Sequence, residues 1–203
     1  MLVKKHAPGQ HNLYITCKWR IIFYNHHIMA TEIKEFSLLR FIPQFREFNS
    51  AAKQNRERLA PYFWWASSSG ISRFNFILIS TMLSKLTKIK PDLPCNKKFI
   101  ICMNGKFAGM LGLDRIYVGA PRPELWLFLT KESEGNGIAT DAIKWATNYA
   151  TKQSCHKICA TTKWDNLRVR RPLLNNDFEV YDSNYYNGDH TLWWEKTLND
   201  KSY

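Results

Sequence analysis

No apolar stretch in this 203-residue chain approaches the roughly 20 residues that a membrane-crossing helix requires, so a soluble protein with no membrane partner is expected. The basic residues at the start lead only into Ile21-Ile22-Phe23-Tyr24. That run is too short for the hydrophobic region of a secretory signal, which makes a cytoplasmic location the expectation. Cys-x-x-Cys pairs are also missing among the five cysteines, Cys17, Cys95, Cys102, Cys155 and Cys159. Cys155, His156 and Cys159 lack the second ligand pair that a zinc site uses, which leaves free thiols in a reducing compartment and no metal. Internal repeats, low-complexity tracts and interdomain linkers are lacking as well, and the length suits one domain with a sizeable core. Acidic residues are scarce in the first half: residues 1–100 carry 16 Lys+Arg against 5 Asp+Glu, residues 101–203 carry 13 against 12. The net charge of +12 is therefore concentrated before residue 100. Such a face attracts nucleic acid, a ribosome, an acidic partner or cofactor phosphates. No zinc-finger spacing, basic-region heptad or aromatic RNA-binding signature accompanies it, and a merely solvated basic surface is the alternative.

What is present organises into alternating elements. Residues 1–30 show little periodicity and hold His26-His27 and a second methionine, Met29. They read as an N-terminal extension or a mis-called start, with residues 31–203 as the folded domain. Lys34 to Ile42 reads as a strand; Pro43 then suits a first helical turn, and Phe45, Phe48, Ala52 and Leu59 follow at helical spacing. Pro61-Tyr62-Phe63-Trp64-Trp65 is an aromatic break, either core packing or the wall of a cleft. Ile71, Phe74, Leu78, Met82 and Leu86 predict a second helix, and Lys88 to Asn96, with two prolines, a loop. Phe99 to Met103 and Phe107 to Leu113 read as strands joined at Asn104-Gly105, a turn pair that tolerates positive φ. Glu124 to Leu129 is the next strand, and Ile138, Ala142, Ile143, Ala146 and Ala150 mark a helix with a small-residue face. A strand from His156 to Lys163, a short helical segment from Asn166, and two strands around Phe178 to Tyr181 and His190 to Lys196 complete the chain. The order β-α-α-β-β-β-α-β-α-β-β predicts an α/β (α+β) fold, a mixed sheet with helices on both faces.

The chemistry concentrates in Glu134-Gly135-Asn136-Gly137-Ile138-Ala139-Thr140, between a strand and a helix. Two glycines let the backbone approach a ligand closely, and the following helix adds unpaired amides and the positive end of its dipole, which together suit a pyrophosphate. No Gly-Lys-Ser/Thr ends the run, so it is not a Walker loop, and the three-glycine spacing of a dinucleotide fold is missing. A tight loop that binds nothing is the competing reading.

This loop and its preceding strand resemble the acetyl-CoA loop of the GNAT N-acetyltransferase superfamily, whose pattern is Gln or Arg, two residues, Gly, one residue, then Gly or Ala. Gly137, Ile138 and Ala139 match; Glu134 replaces the first position. The chain is further similar to the RimJ/RimL-like branch that acetylates ribosomal-protein N-termini. The pieces that carry this are Asn55 to Trp65, Asn104 to Gly109, Pro123 to Leu129, Asp165-Asn166 with Phe178 twelve residues on, and Tyr186-Asn187-Gly188, together spanning roughly residues 34–196.

The resemblance implies a mostly antiparallel central sheet splayed at the acyl-CoA site, and acetyl transfer from acetyl-CoA to a primary amine, either a protein N-terminus or a small amine. It implies that the pantetheine arm lies along Leu127, Phe128 and Leu129, that the loop from Glu134 through Gly135, Asn136, Gly137, Ile138, Ala139 and Thr140 holds the pyrophosphate, and that Asn166 contacts the cofactor arm. Glu124, at the start of the splayed strand, is the candidate base, or else a solvated strand-end carboxylate. Where relatives carry a Ser or Tyr acid this chain has Val169 and Leu173; Asp177 replaces a Gly, and Pro172 is expected to break or kink its helix. Arg168, Arg170 and Arg171 crowd that segment and suit the CoA 3′-phosphate, with Arg170 the candidate, or an acidic substrate. Two other classes stand beside the enzyme: a degenerate domain that binds acyl-CoA as a sensor or interaction module, and a ribosome- or RNA-associated basic protein.

Overall fold

In the computed structural model the described residues are 21–22, 31–36, 41–86, 95–186 and 188–198. The expectations that concern Cys17, His26-His27, Met29, most of the loop after residue 86, and Asn187 lie outside them. The elements in chain order are β1 (Ile21–Ile22), β2 (Thr31–Glu35), α1 (Phe41–Gln54), α2 (Arg56–Leu59), α3 (Trp64–Ser67), α4 (Gly70–Leu86), β3 (Cys95–Met103), β4 (Lys106–Ile116), β5 (Glu124–Leu129), α5 (Ile138–Lys152), β6 (Lys157–Lys163), α6 (Leu167–Leu174), β7 (Glu179–Tyr186) and β8 (Asp189–Thr197). The strands form one sheet in the order β1-β2-β3-β4-β5-β6-β8-β7. Every neighbouring pair is antiparallel except β5 and β6. Ile21–Ile22 extend the edge of this sheet through pairing with Glu32 and Thr31.

The central strands are buried on both faces, which is why β3, β4 and β5 read as nearly unbroken apolar runs. Side chains alternate between two cores. Phe99, Ile101, Leu111, Leu113 and Leu125 pack against the Ile138, Ala142, Ile143, Ala146 and Ala150 face of α5, together with Leu173 of α6 and Phe178. Ile100, Cys102, Met110 and Phe128 face Phe48, Ala52, Leu59, Trp65 and Ile77 from α1 to α4. The small residues of α5 let its axis lie close to the sheet, so the helix that follows the glycine loop is fixed by packing along its length. At the hairpin Asn104 and Gly105 both take positive φ (51° and 75°), the geometry a two-residue turn needs to match strand twist.

Several expectations are corrected. The strand expected over Lys34 to Ile42 is β2, Thr31–Glu35, and Phe41 and Ile42 already belong to α1, with Pro43 in its first turn, where a missing amide hydrogen costs nothing. Strand β3 begins at Cys95, before the loop was expected to end. The buried stripe of α4 runs through Arg73 and Ile77; Ile71 is 76% exposed. Arg73 occupies the core because it donates to Asn49 Oδ1 (2.9 Å) and to the carbonyls of Trp65 (3.2 Å) and Ser68, satisfying the C-terminal end of α3. Helix α6 runs through Pro172 to Leu174 instead of breaking there. The bond lost is the one an amide at 172 would give the Arg168 carbonyl in the first turn; at the other end the Pro172 carbonyl accepts from Asn176 Nδ2 (2.9 Å). Asp177 takes φ 58°, a conformation that Gly adopts most readily; an aspartate tolerates it better than most residues, and Lys196 Nζ holds its carboxylate at 3.1 Å.

Candidate active site

Strands β5 and β6 pair only at Glu124↔Cys159 and Leu125↔Ala160. Beyond those two residues β5 continues with β4 alone, through Trp126↔Gly112 to Leu129↔Gly109, and β6 with β8 alone, through Thr161↔Trp193 to Lys163↔Thr191. The two strands thus part into a wedge. Because β4 takes alternate backbone groups of β5, the remaining groups along 126–129 face the gap. An extended chain bearing its own amides can enter such a gap as a substitute strand.

The β4 side is unusually close. A Cβ at Gly109 would lie 2.2 Å from the Phe128 carbonyl oxygen, and one at Gly112 would lie 2.0 Å from Cε2 of Trp126. The Trp126 indole therefore lies flat against bare backbone at Gly112. On the same face Phe63 contacts Trp126 and Phe128 at 6.1 and 6.3 Å between centroids and stacks on Trp65 at 5.0 Å. Tyr62, 39% exposed, has Lys163 Nζ of β6 6.0 Å from its ring. Of the aromatic break, Trp65 is core, Phe63 lies against β5, and the exposed Tyr62 lies near Lys163 at the end of β6.

At the open end β5 runs through a single 3-10 turn, Lys131–Ser133, into the glycine loop. Gly135 and Gly137 take φ 79° and 75°, and a Cβ on either would meet nothing within 4 Å. The glycines are required by conformation, and the space in front of them is open. Gly137 is the N-cap of α5, and the first amide to return to the loop is that of Asp141, on the Gly137 carbonyl at 3.2 Å. Among the described residues none of the amides from Gly135 to Thr140 donates to a backbone carbonyl, so they and the helix dipole converge on that space. The donor set fits a pyrophosphate. Glu134 is not an isolated charge: Arg58 Nη1 pairs with its Oε1 and Arg168 Nη1 with its Oε2 at 3.2 Å. Arg58 also donates to the Leu129 carbonyl and to Asn55 Oδ1 (2.9 Å), which accepts the Lys131 amide as well (3.2 Å).

The remaining expected residues fall as follows. Leu127 and Leu129 send their side chains to the α5 core, and Phe128 is buried at 3% among the aromatics, so only the backbone of this segment lines the wedge. Asn166 is the N-cap of α6 beyond the end of β6. Arg170 folds back, its guanidinium 4.6 Å from the Trp164 ring centroid and donating to the Trp164 carbonyl. Val169 is partly buried against the core and Leu173 is fully buried, and neither side chain can donate a proton.

Glu124 stands at the vertex. Thr161 Oγ1 donates to its Oε1 at 3.0 Å and Arg115 Nη2 lies 3.3 Å from Oε2. Its cross-strand partner is Asp114, a carboxylate that sequence reasoning missed, although a lone acid inside the apolar run of β4 is a visible signal. Burial pushes the Asp114 carboxyl above its ordinary range; Lys98 and a hydrogen bond from the Trp126 side chain oppose this, and Glu124 adds to it.

A wedge for an extended chain, opening onto an anion-binding loop, defines an α/β domain that accepts a phosphate-bearing carrier. A family model described as an acetyltransferase (GNAT) domain matches residues 52–179, and the chain belongs to that family. No curated protein matches it. Among solved structures it is similar to RimL, the α-N-acetyltransferase of ribosomal protein L7/L12, in complex with coenzyme A, at 15% identity over 83% of this chain and 94% of that one (TM-score 0.68). The ribosomal-protein-S5-alanine acetyltransferase of Vibrio fischeri is 17% identical over 89% and 98% (TM-score 0.68). The spermidine N-acetyltransferase of Vibrio cholerae, in complex with CoA and spermine, is 16% identical over 83% and 95% (TM-score 0.61). At these identities the likeness is one of fold. Among the described residues no helix is long and apolar enough to cross a membrane.

Proposed function

We propose that this acetyltransferase moves an acetyl group from acetyl-CoA to a primary amine, either a protein N-terminal α-amino group or a small amine. The observation that carries the reading is the continuity of the wedge with the glycine loop: an arm laid along Leu127–Leu129 ends where the amides of Gly135 to Thr140 converge. Acetyl-CoA supplies the thioester. The chain's own residues do the rest. Backbone groups of β5 orient the arm, Tyr62 and Phe63 cover it, and Asn166 and Arg170 stand on the far side of the opening. Glu124 at the vertex takes the proton, directly or through water, that the attacking ammonium must lose before its nitrogen adds to the carbonyl carbon. The C–N bond forms, the C–S bond breaks, and the thiolate leaves with no acid side chain assigned.

The ribosomal-protein enzymes and the spermidine enzyme among the similar structures support these two acceptor classes, and the excess of cations before residue 100 suits a ribosomal or other acidic partner. The apolar side chains at the two expected acid positions, Val169 and the buried Leu173, favour one second reading, a domain that binds acyl-CoA without turnover. Release of free thiol from acetyl-CoA is measured across a panel of N-terminal peptides and polyamines. Amine-dependent release is expected; tight cofactor binding with no release across the panel would instead identify a sensor, and no binding at all would reject both.

A further inference from the structure

Glu134 stands where related loops carry Gln or Arg, and both of its oxygens are engaged by guanidinium groups from different parts of the fold. The two arginines are held very differently. Arg58 is 25% exposed and is fixed by three acceptors, Glu134, the Leu129 carbonyl and Asn55 Oδ1. Arg168 is 72% exposed and, among the described residues, pairs with Glu134 Oε2 at 3.2 Å. The first arginine is built in; the second is held at the surface by the carboxylate. Glu134 is also the residue immediately before the open amides, so a guanidinium on Oε2 sits beside the space that those amides face.

We propose that Arg168 is a phosphate-binding residue held in reserve by Glu134, and that a pyrophosphate bound at the loop takes Arg168 over from the carboxylate while Arg58 keeps Glu134 in place. This rests on the reading of the loop as an acetyl-CoA site and adds to it a specificity element particular to this chain. A pyrophosphate offers the planar guanidinium of Arg168 anionic oxygens as charge-assisted acceptors, as Glu134 does, with more negative charge. The exchange leaves Glu134 paired through Arg58, so no carboxylate is abandoned beside the phosphates. Arg170, by contrast, is engaged with Trp164.

The test is a binding cycle on the intact protein with CoA and with pantetheine, which lacks the phosphates, for the wild type, R168Q, E134Q and the double variant, with R168K as the conservative control. Unliganded thermal midpoints report whether each variant is folded; Arg168 lies at the surface, so R168Q and R168K are expected to match the wild type. R168Q should weaken CoA about tenfold, the scale of one charge-assisted hydrogen bond. R168K should recover part of that loss, and neither should change pantetheine binding. E134Q should tighten CoA by about threefold, since release of a half-exposed ion pair is worth little, and only while Arg168 is present. Unchanged CoA affinity in R168Q, equal losses for CoA and pantetheine, or the same E134Q effect without Arg168 would each overturn the inference alone. A wild type that binds no CoA would overturn it together with the acetyl-CoA reading.

Discussion

Replacing Gly112 by Ala should separate the packing of the wedge from its chemistry. A methyl group there falls 2.0 Å from Cε2 of Trp126 and 2.3 Å from both Cζ2 and Nε1, far inside contact distance, so the indole must leave its place. Overpacking of this kind typically costs about 1–3 kcal/mol. The substitution regains about 0.5–1 kcal/mol by removing backbone freedom from the unfolded chain. A net loss of about 1 kcal/mol, and at most about 2.5, is expected, and at about 2–4 °C per kcal/mol for a chain of this size the midpoint should fall by about 2–4 °C and by no more than about 10 °C. Displacing Trp126 also takes a hydrogen bond from Asp114 and a contact from Phe63, so affinity for CoA should fall as the β5 side of the wedge shifts. The assay is thermal and urea unfolding of G112A, W126L and the double variant, with CoA binding alongside. Trimming the indole to leucine makes room for the methyl group, so the double variant should be less destabilised than the sum of the two. Strict additivity, or a G112A protein as stable as the wild type, would refute the steric account of the Trp126–Gly112 contact.

E124Q keeps the bond from Thr161 but removes the proposed base: turnover should fall by about 10²–10⁴, with CoA affinity unchanged and stability within about 1 kcal/mol, and a loss below tenfold in steady-state rate would remove Glu124 from the mechanism. D177G relieves a non-glycine residue at φ 58° and gives up only an exposed ion pair, so it should raise stability by about 0.5–1 kcal/mol in urea titrations. The folded-state pKa of Asp114 is raised, so the folded state binds that proton more tightly than the unfolded chain, and its contribution falls as pH rises from the ordinary value of 3.8 through the folded one. D114N should therefore be more stable than the wild type at neutral pH, and unfolding curves at falling pH should show that advantage disappearing toward pH 3.8.

The sequence by itself determined the central elements and the conformation of the glycine loop. The apolar runs of β3, β4 and β5, the small-residue stripe from Ile138 to Ala150, Asn104-Gly105, and the two glycines before a helix each follow from local periodicity or from a φ that other residues resist. It also exposed the anomalies: Glu134, Asp177, Pro172 and the missing acid at Val169 and Leu173. Only the tertiary structure decided what those anomalies mean. Glu134 meets Arg58 across 76 residues of sequence, a contact no local pattern encodes, and so changes from a lone charge on the glycine loop into the partner of two arginines. Asp114 becomes Glu124's neighbour through strand register, and Arg73 becomes a core residue because three carbonyls and an asparagine wait for it there. The choice between Arg168 and Arg170 is of the same kind. On one helix two residues apart their side chains point apart by about 200°, as 3.6 residues per turn requires, and only the position of that helix against the glycine loop selects the one that reaches it.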